Sequence, residues 1–261
     1  MYGYEALIFD VDGTLADTER DGHRSAFNAA FAELGLDWAW SEDLYYELLA
    51  VTGGKERIRY YVERWQPALP QVGDLDGLIA DLHRCKTRHF LEMSGRGGIP
   101  LRPGVMRLLR HAHAAGIRLA IATTTTPENV TALLEGSADA QILSWLEVIA
   151  AGDIVPAKKP APDIYNLVLK ELALQAPDCI AVEDSANGVR SALGAGLRSL
   201  LVTVNDYTRN EDFTGAALVT DGLGDPGRPV SVLQGVLEGS DHIDLAALDA
   251  MHRRAWAEGE P

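Results

Sequence analysis

The sequence predicts an α/β fold, a doubly wound parallel sheet with an inserted block of helices. Three observations carry that expectation. Short apolar runs closed by a polar residue recur along the chain, the pattern of strands buried on both faces. Helical patterns separate them, several with proline near the start or glycine at the end. Between the first and second runs lies a long stretch, residues 17–95, that holds helical patterns and no strand run.

The first run, Glu5 to Asp10, is apolar between its ends and puts Asp10 at the carboxyl edge of a buried strand. Helical patterns follow over Asp17 to Gly35, Ser41 to Ala50, Lys55 to Trp65 and Asp74 to Glu92. The flanks Asp12-Gly13-Thr14 and Ser94-Gly95-Arg96-Gly97-Gly98 read as hinges. The expected organisation is therefore a core of residues 1–16 and 96–261 around a helical cap of residues 17–95. A helix from Pro103 to Ala115 stops before Gly116, and the strand Arg118 to Thr123 follows. A helix from Pro127 to Leu134 leads to a shorter strand, Leu146 to Ala150. A helix from Pro162 to Leu174 leads to the strand Cys179 to Glu183. After a helix from Ser185 to Ala195 comes the strand Ser199 to Thr203, and Val219 with its neighbours suggests an edge strand. Past about residue 224 the chain reads as Gly/Pro-containing, then as a weakly amphipathic helix from His242 to Ala257, with no function attached. Ligands of such sheets sit beyond the carboxyl ends of the strands, where Asp10, Thr123, Glu183 and Asp184 fall.

The 261 residues carry 23 Lys+Arg against 38 Asp+Glu, a formal charge of −15. A field of that sign repels polyanions and argues against nucleic acid or an anionic membrane surface as partner. A small phosphorylated ligand remains compatible if a local cation or a metal receives it. Hydrophobic residues at 47% and charged residues at 23% suit a globular chain with ample core. Two distant cysteines, Cys85 and Cys179, read as reduced, buried thiols. No secretory or membrane segment stands out, so the expected location is the cytoplasm. The oligomeric state stays open, and a monomer is compatible.

Asp10-Val11-Asp12-Gly13-Thr14-Leu15 is the strongest chemical signal. Two acids at the end of a buried strand are costly if they are only structural. A turn at Asp12-Gly13 lets both reach one cleft. This segment resembles the first motif of the haloacid dehalogenase superfamily of phosphotransferases, and the remaining motifs follow in order. Thr123 closes the next core strand, Lys159 precedes Pro160-Ala161-Pro162-Asp163, and Glu183-Asp184 closes a later strand. The resemblance spans residues 5 to about 224.

What the resemblance implies is a set of roles. Asp10 is similar to the nucleophile that forms an aspartyl-phosphate. Asp12 is similar to the general acid for the leaving sugar oxygen and then the base for water. Its presence argues against a dehalogenase, since halide leaves without protonation. Thr123, Lys159 and backbone N–H groups would hold the phosphoryl oxygens. Asp10, the carbonyl of Asp12 and Asp184 are the implied Mg²⁺ ligands, with Glu183 in or just outside that shell. Charge alone demands a cation. At ~4 Å and an effective dielectric of ~20, two like charges repel by ~4 kcal/mol, and a phosphate dianion meets several carboxylates here. Plainer readings stand beside these: Asp12-Gly13 as an ordinary turn, Glu183-Asp184 as a helix N-cap, Lys158 as a solvated neighbour of Lys159.

The inserted helices should choose the substrate. Glu19, His23 and Arg24 lie in the first of them. Thr52-Gly53-Gly54-Lys55-Glu56-Arg57 opens another with glycines, free N–H groups and two cations, a candidate second anion site. Lys86 adds charge in the last helix, and Thr124 extends the threonine run on the core side. The alternative for Lys55, Arg57, Lys86 and His23 is charge on amphipathic helix surfaces, and the sequence leaves both open. These stretches also resemble the CbbY branch of the superfamily, which implies a phosphatase of xylulose 1,5-bisphosphate, an inhibitor of Rubisco. A β-phosphoglucomutase-like phosphomutase is the nearest competing reading, and a non-enzymatic binding member of the fold the more distant one.

Overall fold

The computed structural model describes residues 2–69, 74–95, 98–137 and 141–257. Seven strands form one sheet: β1 Ala6–Phe9, β2 Arg118–Thr123, β3 Leu146–Ala151, β4 Cys179–Glu183, β5 Leu200–Thr203, β6 Leu218–Thr220 and β7 Val232–Gln234. Their spatial order is β3-β2-β1-β4-β5-β6-β7, parallel throughout except for the antiparallel β6–β7 pair. The first strand is therefore central, and the strand order reverses on either side of it. That reversal is the crevice where ligands of open α/β sheets bind.

The period of two along each strand sorts the core into two layers. Leu7 and Phe9 of β1 join Leu119 and Ile121 of β2 on one face. Ala6 and Ile8 join Ala120, Ala122 and Ala181 on the other. Helices α5 (Val105–Ala114) and α6 (Pro127–Glu135) belong to the first layer, and the short α7 (Ile142–Trp145) adds Ile142 to it. Helices α8 (Asp163–Leu172) and α9 (Ala186–Gly194) belong to the second.

Residues 19–94 supply a π-type turn, Glu19–His23, and four helices: α1 Arg24–Glu33, α2 Glu42–Leu48, α3 Gly54–Trp65 and α4 Leu75–Ser94. They enclose their own aromatic core of Phe27, Phe31, Trp38, Trp40, Tyr45 and Tyr61. The helix expected from Asp17 starts instead at Glu19, in a wide turn before α1. Gly22 sits in that turn against Phe90 and Ile99, where a side chain would collide. Of the expected hinge at 94–98, Arg96 and Gly97 lie outside the described residues.

Three further expectations need correction. Pro103 precedes α5 rather than opening it, because Gly104 turns the chain at φ +84° against the Gly224 carbonyl. Val219 lies in β6, but β6 is not the edge, since β7 covers it. That strand has three residues, all exposed, so it shows no apolar signature. The final helix, α10 (Leu245–Ala257), begins after His242 and buries Leu245, Leu248 and Met251 in the first core layer. Both cysteines are buried and unpaired with each other. No helix among the described residues is long and apolar enough to cross a membrane.

Candidate active site

Three strand ends and one loop meet at the centre of the sheet. Asp10 follows β1, Thr123 ends β2, Glu183 ends β4 with Asp184 next to it, and Lys159 comes from the β3–α8 loop. All five are buried. Lys159 Nζ donates to Asp10 Oδ1 at 2.7 Å and to Glu183 Oε1 at 2.5 Å. The Tyr165 hydroxyl donates to the same Glu183 oxygen at 2.6 Å. Asp184 accepts from Asn205 Nδ2 at 2.7 Å. A cavity of about 90 Å³ opens here, lined by Asp10, Asp12, Thr123, Lys159 and Asp184.

Glycine makes this crowding possible. Gly13, at φ +83°, lies so near Asp184 and Asn205 that a Cβ would overlap both. Gly188 leaves room for the Glu183 carboxylate under α9. The N-cap of α9 is Ser185, whose side chain accepts from Gly188 N, so the acid pair before it is not the cap. The Asp12-Gly13 turn is clamped by Arg102, which donates to the Gly13 carbonyl, to Thr203 O at 3.0 Å and to Val204 O at 2.6 Å.

Charge does not balance within this cluster. Asp10, Glu183 and Asp184 bring oxygens within 4.8 Å of one another, and the Lys159 ammonium is the cation bonded to them. Burial pushes Asp10 up to about 8 against the pull of Lys159, with Glu183 and Asp12 adding to the rise. Burial, then Asp10 and Glu183, raise Asp184 well above the carboxylate range. Carboxyl groups driven toward protonation by burial and by one another are what a bound cation would relieve. The donors are all hard oxygens, which fits a metal of the Mg²⁺ kind.

Asp12 does not join that cluster through its carboxylate. Its Oδ1 accepts from Thr18 Oγ1 at 2.6 Å and lies 2.9 Å from His23 Nε2. Burial alone would raise Asp12, but the His23 charge and the two hydrogen bonds outweigh it and hold the group well below the usual range. His23 is itself buried and stacks on Phe90 with ring centres 4.1 Å apart.

A larger cavity of about 600 Å³ continues between the sheet edge and the helices, lined among others by Asp12, Glu19, His23, Gly54, Lys55 and Lys86. Arg57 and Thr124 line both cavities. The cations here are not equivalent. Arg57 is buried, donates to the Tyr45 hydroxyl at 2.8 Å and lies 3.6 Å from Glu19, which also accepts from Tyr45. Lys55 is half-exposed and donates to Asp153 at 2.9 Å. Lys86 is buried with its ammonium 5.2 Å from the Phe27 and Phe90 ring centres, and it makes no hydrogen bond or ion pair among the described residues. Burial, aided by Arg57, pulls it down to about 8 against the charges of Asp12 and Glu19.

Arg24 departs from expectation. It pairs with Glu42 at 3.0 Å and lines neither cavity. One residue beyond His23, it is rotated by roughly 100° about the helix axis and faces another way. Sequence reasoning missed Tyr45, Tyr165, Asn205 and Arg102. Of these, only a polar residue just past a strand end, such as Asn205, carried a positional hint.

Comparison with known proteins accords with this geometry. Residues 4–196 match the family model of haloacid dehalogenase-like hydrolases. Protein CbbY of Cupriavidus necator is 48% identical over 256 residues, 97% of this chain and 99% of that protein. The crystal structure of CbbY from Rhodobacter sphaeroides with phosphate superimposes with a TM-score of 0.78 at 48% identity, over 85% of this chain and 95% of that one. An Asp-to-Asn mutant of that protein in complex with xylulose-(1,5)bisphosphate matches with a TM-score of 0.79 at 47% identity, over 87% and 97%. The chain belongs to the haloacid dehalogenase-like hydrolases, in the CbbY branch, and is a phosphatase-type enzyme.

Proposed function

We propose that the chain is a Mg²⁺-dependent phosphatase of a sugar bisphosphate of the xylulose 1,5-bisphosphate kind, working through an aspartyl-phosphate on Asp10. One observation carries the bisphosphate reading. A cavity that starts at Asp12 also reaches a buried lysine, Lys86, which makes no hydrogen bond or ion pair among the described residues and feels Asp12 and Glu19 only at longer range. A ligand with an anion at each end fits a site with the acid cluster and Lys159 at one end and Lys86 at the other. The relative caught with xylulose-(1,5)bisphosphate supports the same choice.

Lys159 engages one oxygen of Asp10 and steadies it for attack on phosphorus. Thr123 and Thr124 stand beside that point as hydroxyl donors for the phosphoryl oxygens. Asp10, Glu183, Asp184 and the carbonyl of Asp12 would hold the Mg²⁺, which when bound offsets the anion–anion repulsion and polarises the phosphoryl group. An entering phosphoryl group is a like charge beside Asp12 and favours its protonated form, the one that can donate to the leaving sugar oxygen. Once the sugar departs, the partners Thr18 and His23 favour the ionised form again, the one that can take a proton from water. The helical segment 17–95 acts as the cap that supplies these partners.

Phosphate release from xylulose 1,5-bisphosphate, sugar monophosphates and p-nitrophenyl phosphate with Mg²⁺ tests the reading. The bisphosphate should be turned over with the highest kcat/KM and without formation of an isomeric sugar phosphate. Equal rates on monophosphates of the same sugar would refute the two-anion site.

A further inference from the structure

The β3–α8 loop carries two adjacent lysines with different destinations. Lys159 enters the acid cluster, whereas Lys158 turns toward α3. Its Nζ donates to the two oxygens of Glu56 at 2.9 and 3.0 Å and lies 2.8 Å from Asp153 Oδ1. The other oxygen of Asp153 accepts from Lys55 at 2.9 Å. Lys55 and Glu56 open α3 on the helical side, and Asp153 and Lys158 belong to the core loop. Two ammonium groups and two carboxylates thus form a neutral network across the seam between cap and core.

The network is built around Lys158. Its side chain is 16% exposed, against 45% for Glu56 and 58% for Asp153. Gly53, at φ +98°, lies beneath the Glu56–Lys158 pair, where a Cβ would overlap the carboxylate and come within 2.9 Å of the ammonium. Hydrogen bonds from Lys158 and Lys55 hold Asp153 down to about 2. The peptide after Lys158 carries Lys159, so whatever fixes one fixes the loop that bears the other.

We infer that Lys158 is a positioning residue: bridging Glu56 of the cap and Asp153 of the core, it holds the cap shut over the cavity and sets the Lys159 loop. The kinetic part of the inference rests on the phosphatase reading, and the closure part does not. A closed cap excludes water and assembles groups from both sides of a site.

The sign of the response separates this role from plain electrostatics. Glu56 and Asp153 are acids beside a cavity proposed to take an anion. If they matter only by charge, Glu56→Gln and Asp153→Asn should raise kcat/KM for a sugar phosphate. If they anchor Lys158, both should lower it, by roughly twofold to fivefold at low ionic strength. The radius of gyration from small-angle X-ray scattering should rise in the same variants. Salt at ~0.5 M should bring the wild type toward the variants, which themselves should respond little. Lys158→Arg, which keeps the charge and can reach both acids, should preserve closure and most of the activity. Variants of Glu56 and Asp153 with kcat/KM at or above wild type and an unchanged radius of gyration would overturn the inference. Scattering needs no substrate, so absence of turnover in the wild type would defeat the phosphatase reading and leave closure to be judged by scattering.

Discussion

The acid cluster and the cap-facing wall hold similar charges and use them differently. At the strand ends Lys159 is locked between Asp10 and Glu183, and Tyr165 donates to the same Glu183 oxygen. On the cap-facing wall Arg57 is taken up by Tyr45 and Glu19, Lys55 by Asp153, and Lys86 lines the cavity with no ion pair among the described residues. A cation's usefulness to a ligand depends on what the fold has already given it. The distal anion site was expected at Lys55 and Arg57, with Lys86 only adding charge; because protein partners already engage the first two, the proposed bisphosphate site rests on Lys86 instead.

The sharpest way to break the comparison is at the strand ends. Asp10→Asn keeps the shape and removes the attacking charge, so turnover should fall by roughly 10⁴-fold or more while the fold persists. Folded Asp10→Asn protein with near wild-type activity in a phosphate-release assay would end the nucleophile assignment. Chelation comes next. EDTA should abolish activity and added Mg²⁺ should restore it, and Asp184→Ala should raise the Mg²⁺ concentration needed for half-maximal rate. Full activity after exhaustive chelation would contradict a metal-dependent cluster.

Effects on the wall should be smaller and selective. Lys86→Ala removes a charge-assisted contact worth ~1.5–3 kcal/mol, roughly tenfold to more than a hundredfold in kcat/KM for a bisphosphate. Lys55→Ala and Arg57→Ala, tested alongside, should show whether their protein partners leave them any share in binding. p-Nitrophenyl phosphate, too short to span the cavity, should be largely spared by Lys86→Ala, and equal losses on both substrates would remove the distal role. The pH profile sharpens this further. Lys86 is held down to about 8, so its charge disappears as pH rises through that value. Bisphosphate kcat/KM should therefore fall above about pH 8, and Lys86→Arg should remove that limb. The smallest change is expected for Arg24→Ala. Its pair with Glu42 lies outside both cavities, so kinetics should stay within about twofold and stability within ~1 kcal/mol.

The acid-and-lysine end was legible because most of its residues close neighbouring strands of one sheet. Backbone pairing brings β1, β2 and β4 side by side, so Asp10, Thr123 and Glu183 arrive together with little freedom. Lys159 follows because its loop leads into α8 beside them. The wall was read less well. Whether Arg24 or His23 faces Asp12 depends on how a wide turn enters α1, and helical spacing in a bare sequence does not register that turn. Strand β7 was missed because three exposed residues show no alternation.

By itself, then, the sequence determined the α/β class, the strand ends that carry acid and threonine, the loop motif that carries Lys159, and the family to which they belong. These are local properties: hydrophobic period, turn chemistry, and short motifs at fixed places on strands. Only the tertiary structure decided which cations stay available. Lys55, Arg57, Lys86 and Lys158 look alike as letters, yet Asp153, Tyr45 and Glu19, two aromatic rings, and Glu56 with Asp153 meet them respectively. Two of those pairs, Lys55 with Asp153 and Lys158 with Glu56, join residues 98 and 102 positions apart in the chain, and a charge is spent or kept free by what packing sets within a few ångströms of it.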